Sequence, residues 1–150
     1  MTVYEKLQEL KIELPVPTVP VAAFVPTVRT GNLLFVSGHI AKREGTSWAG
    51  QLGSDISVEE GRKAARNAAV DLLATLHHEL GLAHVKRIVK LLCFVNSTPQ
   101  FTEQHLVANG ASELLQDVFG KDGVHARSAV GVAQLPLGSC VEIEVVAEVA

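Results

Sequence analysis

Cysteine and aromatic residues are both scarce in this chain: two Cys, one Trp, one Tyr and five Phe among 150 residues. Two thiols, Cys93 and Cys140, cannot build a disulfide framework. Both fall inside apolar runs that read as strands, where a free thiol serves as a small hydrophobe. The N-terminal Met1-Thr2-Val3-Tyr4-Glu5-Lys6 has no long apolar run, and no stretch approaches the length of a membrane span. The expected location is therefore cytoplasmic, in a reducing compartment. Basic charge is also thin. Lys and Arg number 13 against 16 acidic residues, for a net charge of −3. The densest basic cluster is Lys86, Arg87 and Lys90. A dedicated nucleic-acid surface would concentrate far more.

Aliphatic mass is abundant instead. Hydrophobic residues make up 47% and charged residues 19% of the chain, and mean hydropathy is +0.25. With few aromatics, that mass is Ala, Val and Leu. A chain of this length is expected to form a single domain over residues 1–150, with limited interior. The surplus points to apolar surface covered by other subunits.

The pattern along the chain places the elements. Val3, Leu7 and Leu10 have the spacing of a short helix over residues 2–11. Leu14-Pro15-Val16-Pro17-Thr18-Val19-Pro20 is too proline-rich for a helix or central strand. Residues 1–21 thus read as a helix plus an extended connector. An extended segment over 22–29 is interrupted by Pro26. Gly31-Asn32 reads as a turn and Leu33–Ile40 as a strand, with a bulge at Ser37-Gly38. Residues 41–54 read as a loop or ragged hairpin holding Trp48, which has no obvious partner.

Ser57-Val58-Glu59-Glu60 spells a capping box. Ala65, Ala68, Ala69, Leu72, Leu73, Leu76 and Leu80 follow at helical spacing, and Gly81 provides the stop. Val85–Val95 reads as a strand with Val89, Leu91, Cys93 and Val95 on one face. Thr98-Pro99 marks the start of a second helix that runs to about Phe119. Two strands close the chain, about 126–134 and 140–149, joined by Leu135–Ser139 as a hairpin. This order predicts an α/β (α+β) fold, a mixed sheet with two helices packed on one face.

The chemistry concentrates in the last two strands. In Val141–Val149 the odd positions are all apolar, while Glu142, Glu144 and Glu148 face the other way. In the strand before it, Val130 and Val132 are expected on the core face. Arg127, Ala129, Gly131 and Ala133 then share the opposite face, a row of small residues under one guanidinium. Arginine offers a planar fork that matches a carboxylate. Its plain alternative is a surface arginine paired with a glutamate of the next strand. A hairpin near residue 137 would separate Arg127 from Glu142 by roughly 15–20 Å along the strand. If both serve one ligand, a neighbouring subunit must bring them together.

Other candidates carry less. Glu142 can steer a water, or can simply be solvated. Asn109 can donate to a ligand oxygen or sit idle on a helix surface. Ser37-Gly38 can present a backbone N–H or be only a bulge. His77-His78-Glu79 lacks metal-ligand spacing, so no metal site is expected. His125 lies close enough to Arg127 to line a pocket mouth. Neither a phosphate loop nor a nucleophile elbow is present.

Ala126-Arg127-Ser128, Leu135-Pro136 and Val141-Glu142-Ile143-Glu144 resemble the C-terminal signature of the Rid (YjgF-type) family. Gly31-Asn32-Leu33-Leu34-Phe35-Val36-Ser37-Gly38 resembles its N-terminal signature. The Tyr4–Leu7 and Asn109–Ser112 stretches resemble a less characterised branch. The resemblance implies a chorismate-mutase-like homotrimer with sites between subunits. It also implies hydrolysis of reactive 2-enamino or 2-imino acids to 2-keto acids and ammonia, without a cofactor. By motif, the carboxylate-binding arginine falls on Arg127, the water-associated glutamate on Glu142, the backbone site on Ser37 and Gly38, and a pocket asparagine on Asn109. Phe24 stands where the family often has tyrosine, and Ala129 where it often has cysteine. Both departures remove polar groups and leave the carboxylate clamp. A protein that binds small carboxylates such as keto acids without turnover is the alternative reading.

Overall fold

The computed structural model describes residues 1–18, 20 and 22–150. Val19 and Val21, both in the expected connector, lie outside the described residues. The first helix, α1 (Val3–Glu9), is held by a capping box. The Thr2 hydroxyl accepts from the Glu5 N–H at 3.1 Å, and the Glu5 carboxylate accepts from the Thr2 N–H at 3.0 Å. Leu7 buries the apolar side of α1. Tyr4 docks it further, meeting His77 at 2.8 Å and accepting from the Leu82 N–H at 3.0 Å.

Strand β1 (Thr27–Thr30) is shorter than the extended segment expected over 22–29, because Pro26 precedes it. Gly31 turns the chain at a φ of 58° into β2 (Leu33–Ile40). The expected irregularity at Ser37-Gly38 is present: pairing with the last strand shifts register between Val36 and His39. Residues 41–54 contain a small hairpin, β3 (Lys42–Arg43) and β4 (Thr46–Ser47).

Helix α2 (Val58–Glu79) starts at Ser57, whose hydroxyl accepts from the Glu60 N–H. The reciprocal half of the expected capping box is not made. Glu60 instead accepts from the Trp48 indole at 3.1 Å, which gives that tryptophan its partner. The Arg43 guanidinium covers the same ring at 4.8 Å. Strand β5 spans Val85–Asn96. A register shift between Ile88 and Lys90 puts Ile88 rather than Val89 on the core side. Helix α3 (Gln104–Phe119) begins later than Thr98-Pro99 predicts. Thr98 is held by the Leu52 carbonyl instead, in a turn that precedes the helix. Strands β6 (Ala126–Val132) and β7 (Val141–Val149) end the fold.

The five-stranded sheet has the order β1-β2-β7-β5-β6. This corrects the expected β6–β7 hairpin. Strand β7 runs down the centre between β2 and β5, while β6 lies at the edge, parallel to β5. Helices α2 and α3 pack side by side on one face, α2 over β2 and β7 and α3 over β5 and β6. The odd positions of β7, from Val141 to Val149, are all buried beneath them, as the alternation predicts. Burying each of the valine and isoleucine side chains among them contributes about 1.5–3 kcal/mol.

Among the described residues no element covers the opposite face of the sheet. Val28, Phe35 and Val130 stand on it at 56%, 47% and 41% exposure. Among the described residues no helix is long and apolar enough to cross a membrane.

The two helices cross closely at Gly110, where an added Cβ would collide with the Arg62 backbone of α2. Gly110→Ala should therefore destabilise the protein by ~1–3 kcal/mol, although alanine is the better helix former by about 1 kcal/mol. A lower urea midpoint with an unchanged slope would show it. A raised midpoint would mean that the helices part without cost.

Candidate functional site

Arg127 sits in the edge strand, level with Leu91 of β5. Strand neighbours in register share a face, and Leu91, Cys93 and Val95 are all core residues. Arg127, Ala129 and Gly131 therefore face the helices, and Val130 faces out. This inverts the expected parity. The physical reason is the proximity of α3. A Cβ at position 131 would meet the side-chain ends of Ser97 and Gln104, so the start of α3 crowds this end of the row, while the open face accommodates valine.

The guanidinium reaches α3 and is held there. Nη1 donates to Asn109 Oδ1 at 2.8 Å and to Ser112 Oγ at 3.2 Å, and Nη2 donates to the His105 carbonyl at 3.2 Å. His105, Asn109 and Ser112 are four and three residues apart, one face of the helix. Three of the five guanidinium N–H groups are thus engaged by the fold, and two remain for a ligand.

Ser112 is itself oriented. The His125 Nδ1 lies 2.6 Å from the Gly123 carbonyl, which can only accept, so Nδ1 carries the proton. Nε2 must then accept, and the Ser112 hydroxyl donates to it at 2.9 Å. That leaves the serine lone pairs turned to Arg127. Burial lowers the His125 pKa, the Gly123 hydrogen bond opposes this, and the Arg127 charge adds to the lowering. The imidazole is held neutral, as the relay requires. Ser112 was missed as a site residue because buried serine in a helix carries no motif. His125 was legible only as a neighbour of Arg127.

Ala129 lies level with Cys93 on the covered face. Burial pushes the Cys93 thiol up to about 12, against the pull of Arg127. No thiolate is available beside the guanidinium.

A second group of residues gathers at the β2 bulge. Glu142 is level with Ile40 of β2 and Phe94 of β5. Its carboxylate occupies the space a side chain at Gly38 would fill. Burial raises the Glu142 pKa, and the neighbouring Glu144 charge raises it further. The Ser37 hydroxyl donates to the Val25 carbonyl at 2.6 Å, which fixes the chain leading to the half-exposed Phe24. Phe24, Ser37 and Gly38 together wall one side of a cavity of about 440 Å³.

These two groups are separate within the chain. Leu91 and Phe94 mark their rows on β5, three residues apart. With two strand spacings between β6 and β7, the backbones of Arg127 and Glu142 stand about 14 Å apart. Their side chains leave opposite faces of the sheet. The distance expected from a hairpin does not apply, but the separation does.

This architecture recurs among known proteins. A family model described as Endoribonuclease L-PSP matches residues 16–149. Protein TCP17 of Trypanosoma cruzi is 49% identical over 145 residues, covering 95% of this chain and 91% of that protein. The crystal structure of Atu1372 from Agrobacterium tumefaciens, of unknown function, is 42% identical with a TM-score of 0.91, covering 99% of this chain and 92% of that one. A structure from Shewanella oneidensis MR-1 is 30% identical with a TM-score of 0.95, covering 99% of this chain and all of the other. With nearly its whole length matched, and with the mixed sheet and one-sided helices of the chorismate-mutase-like fold, the chain belongs to the YjgF/Rid family.

Proposed function

We propose that this protein hydrolyses small 2-enamino and 2-imino acids to 2-keto acids and ammonia, at sites shared between the subunits of a homotrimer. The observation that carries the reading is the anchored guanidinium of Arg127. It is fixed by three hydrogen bonds and keeps two N–H groups for a planar anion. A carboxylate is the acid that this fork fits. Asn109 accepts from the guanidinium, and its amide N–H groups are left to meet the ligand.

Two features support shared sites. The uncovered sheet face carries Val28, Phe35 and Val130, an apolar surface of the kind that subunits bury. Glu142 and Arg127 also leave opposite faces of one chain, so a neighbour's Glu142 is the one that complements a given Arg127. The reaction then needs no cofactor. The enamine tautomerises to the imine, with its carboxylate on Arg127 and its C=N carbon facing Glu142. The carboxylate of Glu142 takes one proton from water as its oxygen attacks that carbon, and returns it to the nitrogen. The adduct hydroxyl then gives up the second water proton to the nitrogen as the C–N bond breaks, leaving the keto carbonyl and ammonia. Phe24, Ser37 and Gly38 form the wall beside the reacting carbon, and Ala129 the small floor beside Arg127.

Phe24 and Ala129 supply no polar group, and this favours a second reading, retention of the clamp for keto-acid binding without turnover. RNA cleavage, the activity in the family model's name, finds no support in a net charge of −3 and scattered basic residues.

Adding the purified protein to a dehydratase that generates 2-aminoacrylate should speed the release of pyruvate and ammonia over buffer. Arg127→Ala should lower kcat/KM about 100-fold or more, the cost of two charge-assisted hydrogen bonds. Keto-acid binding abolished by the same substitution, with no turnover in wild type, would establish the second reading instead.

Glu142→Gln should lower kcat by roughly 10²–10⁴-fold. The sign with pH follows from the raised pKa. The base must be ionised, so wild-type activity should fall as pH drops through a value above that of an ordinary glutamate. An acid limb at the ordinary glutamate value, or one that persists in the glutamine variant, would remove Glu142 from this role.

A further inference from the structure

The cavity beside Gly38 is far larger than a three-carbon acid requires. At about 440 Å³ it falls in the range of pockets that hold whole small ligands. It lies along the edge of β2 beyond the end of β1, beneath the connector. Its roof is apolar, formed by Pro15, Val16, Pro17 and Pro20 with Phe24 and Pro26. Proline offers no N–H donor, so a ligand finds little to bond there.

The floor is polar, and it comes from one helix. Asn67, Asp71 and Thr75 line the cavity at four-residue spacing on α2, a second stripe distinct from the alanine and leucine stripe that packs on the sheet. Two of the three are already engaged. Thr75 Oγ1 lies 2.8 Å from His39 Nε2, and Asn67 Oδ1 accepts from the Lys42 N–H at 2.7 Å. Asp71 has no hydrogen-bond or ion-pair partner among the described residues. The Lys42 ammonium is turned to Thr18, at 3.4 Å from its hydroxyl. Asp71 and Glu44 outnumber Lys42 in the lining, and His39, neutral through burial, adds no cation. The cavity is therefore a net anionic pocket, with a half-buried carboxylate in its floor that no described side chain pairs. Burial pushes the Asp71 carboxyl up, and the Lys42 charge opposes this only in part. A donor on the ligand would relieve that cost.

The floor adjoins the bulge on which the Glu142 carboxylate is seated. His39 follows Gly38 in the bulge and bonds Thr75, and Asp71 lies one helical turn further, ~6 Å along the axis. We infer that the preferred substrates are 2-imino acids with a long side chain ending in a cationic donor, an amine or guanidine, which passes Gly38 and ends on Asp71. This rests on the proposed function and specifies the substrate class of the same site. The methylene chain lies against the proline roof, and the carboxylate remains on Arg127.

The test compares imines made in situ by an L-amino-acid oxidase from arginine and from alanine. In parallel, calorimetry compares binding of the guanidino 2-keto acid with that of pyruvate. For wild type, kcat/KM should be at least tenfold higher for the arginine-derived imine. Asp71→Asn should reduce that ratio about tenfold, and the guanidino keto acid should bind about tenfold tighter than pyruvate only when Asp71 is present. A wild-type ratio near one, or a ratio that Asp71→Asn leaves in place, would overturn the inference while imine hydrolysis stands. If neither imine is hydrolysed, the proposed function fails and the binding comparison decides. Tighter guanidino-acid binding that is lost in Asp71→Asn then supports the anionic pocket, and equal or absent binding overturns it.

Discussion

The structure depends on how one arginine is accommodated beneath a helix. A guanidinium taken partly out of water must find acceptors, or its desolvation outweighs any packing it gains. Arg127 finds them in the His105 carbonyl, the Asn109 amide and the Ser112 hydroxyl of α3. That requirement explains the small residues around it. Gly131 lets α3 lie close to the edge strand, Gly110 lets α3 lie close to α2, and Gly123 lies against the backbone of Leu115. At Gly110 and Gly123 a side chain would meet backbone, and at Gly131 it would displace the Ser97 and Gln104 side chains. The same contacts that bury the helix thus aim the fork.

The sheet order sets what one chain can do alone. With β7 central and β6 at the edge, Arg127 and Glu142 occupy different rows, different strands and different faces. Each half is nonetheless well formed. The Arg127 half has a hydrogen-bonded relay that ends at a neutral imidazole. The Glu142 half has a carboxylate seated on a glycine, its charge disfavoured by burial and by Glu144. The two halves cannot meet within a protomer; under the proposed homotrimer they would meet between copies, across the apolar sheet face.

Much of this was legible in the sequence because it rests on local rules. The alternation in Val141–Val149 identified its buried face, Ser57 identified the start of α2, and Ser37-Gly38 identified the bulge. Pairing was not legible, because it is a non-local choice. The Leu135–Ser139 connection is short enough for a hairpin, yet β6 passes it by and pairs with β5. The parity error at Arg127 followed from the same gap. Valines usually mark the core face, but in this edge strand that side carries Arg127, Ala129 and Gly131 against α3, and Val130 faces outward. The start of α3 was misplaced because Thr98-Pro99 serves a turn packed on Leu52 and Gly53. Nothing local marks Asn67, Asp71 and Thr75, because only the folded connector encloses them.

The two halves differ in how they tolerate separation, and this orders the chemistry. Arg127 is oriented within its own chain, so under the proposed function anion binding would be a property of each protomer. Glu142 would need a substrate delivered to it by another Arg127, so turnover would be a property of the assembly. An acid-base step demands placement within hydrogen-bond reach, a far stricter condition than attraction of a carboxylate. Under the proposed homotrimer, loosening the interface would therefore abolish hydrolysis before it abolished binding. A dissociated protomer would behave as the carboxylate-binding protein of the second reading. Under that proposal the two readings are joined by one variable, the contact between subunits, and the uncovered face with Phe35 and Val130 is the apolar surface available for it.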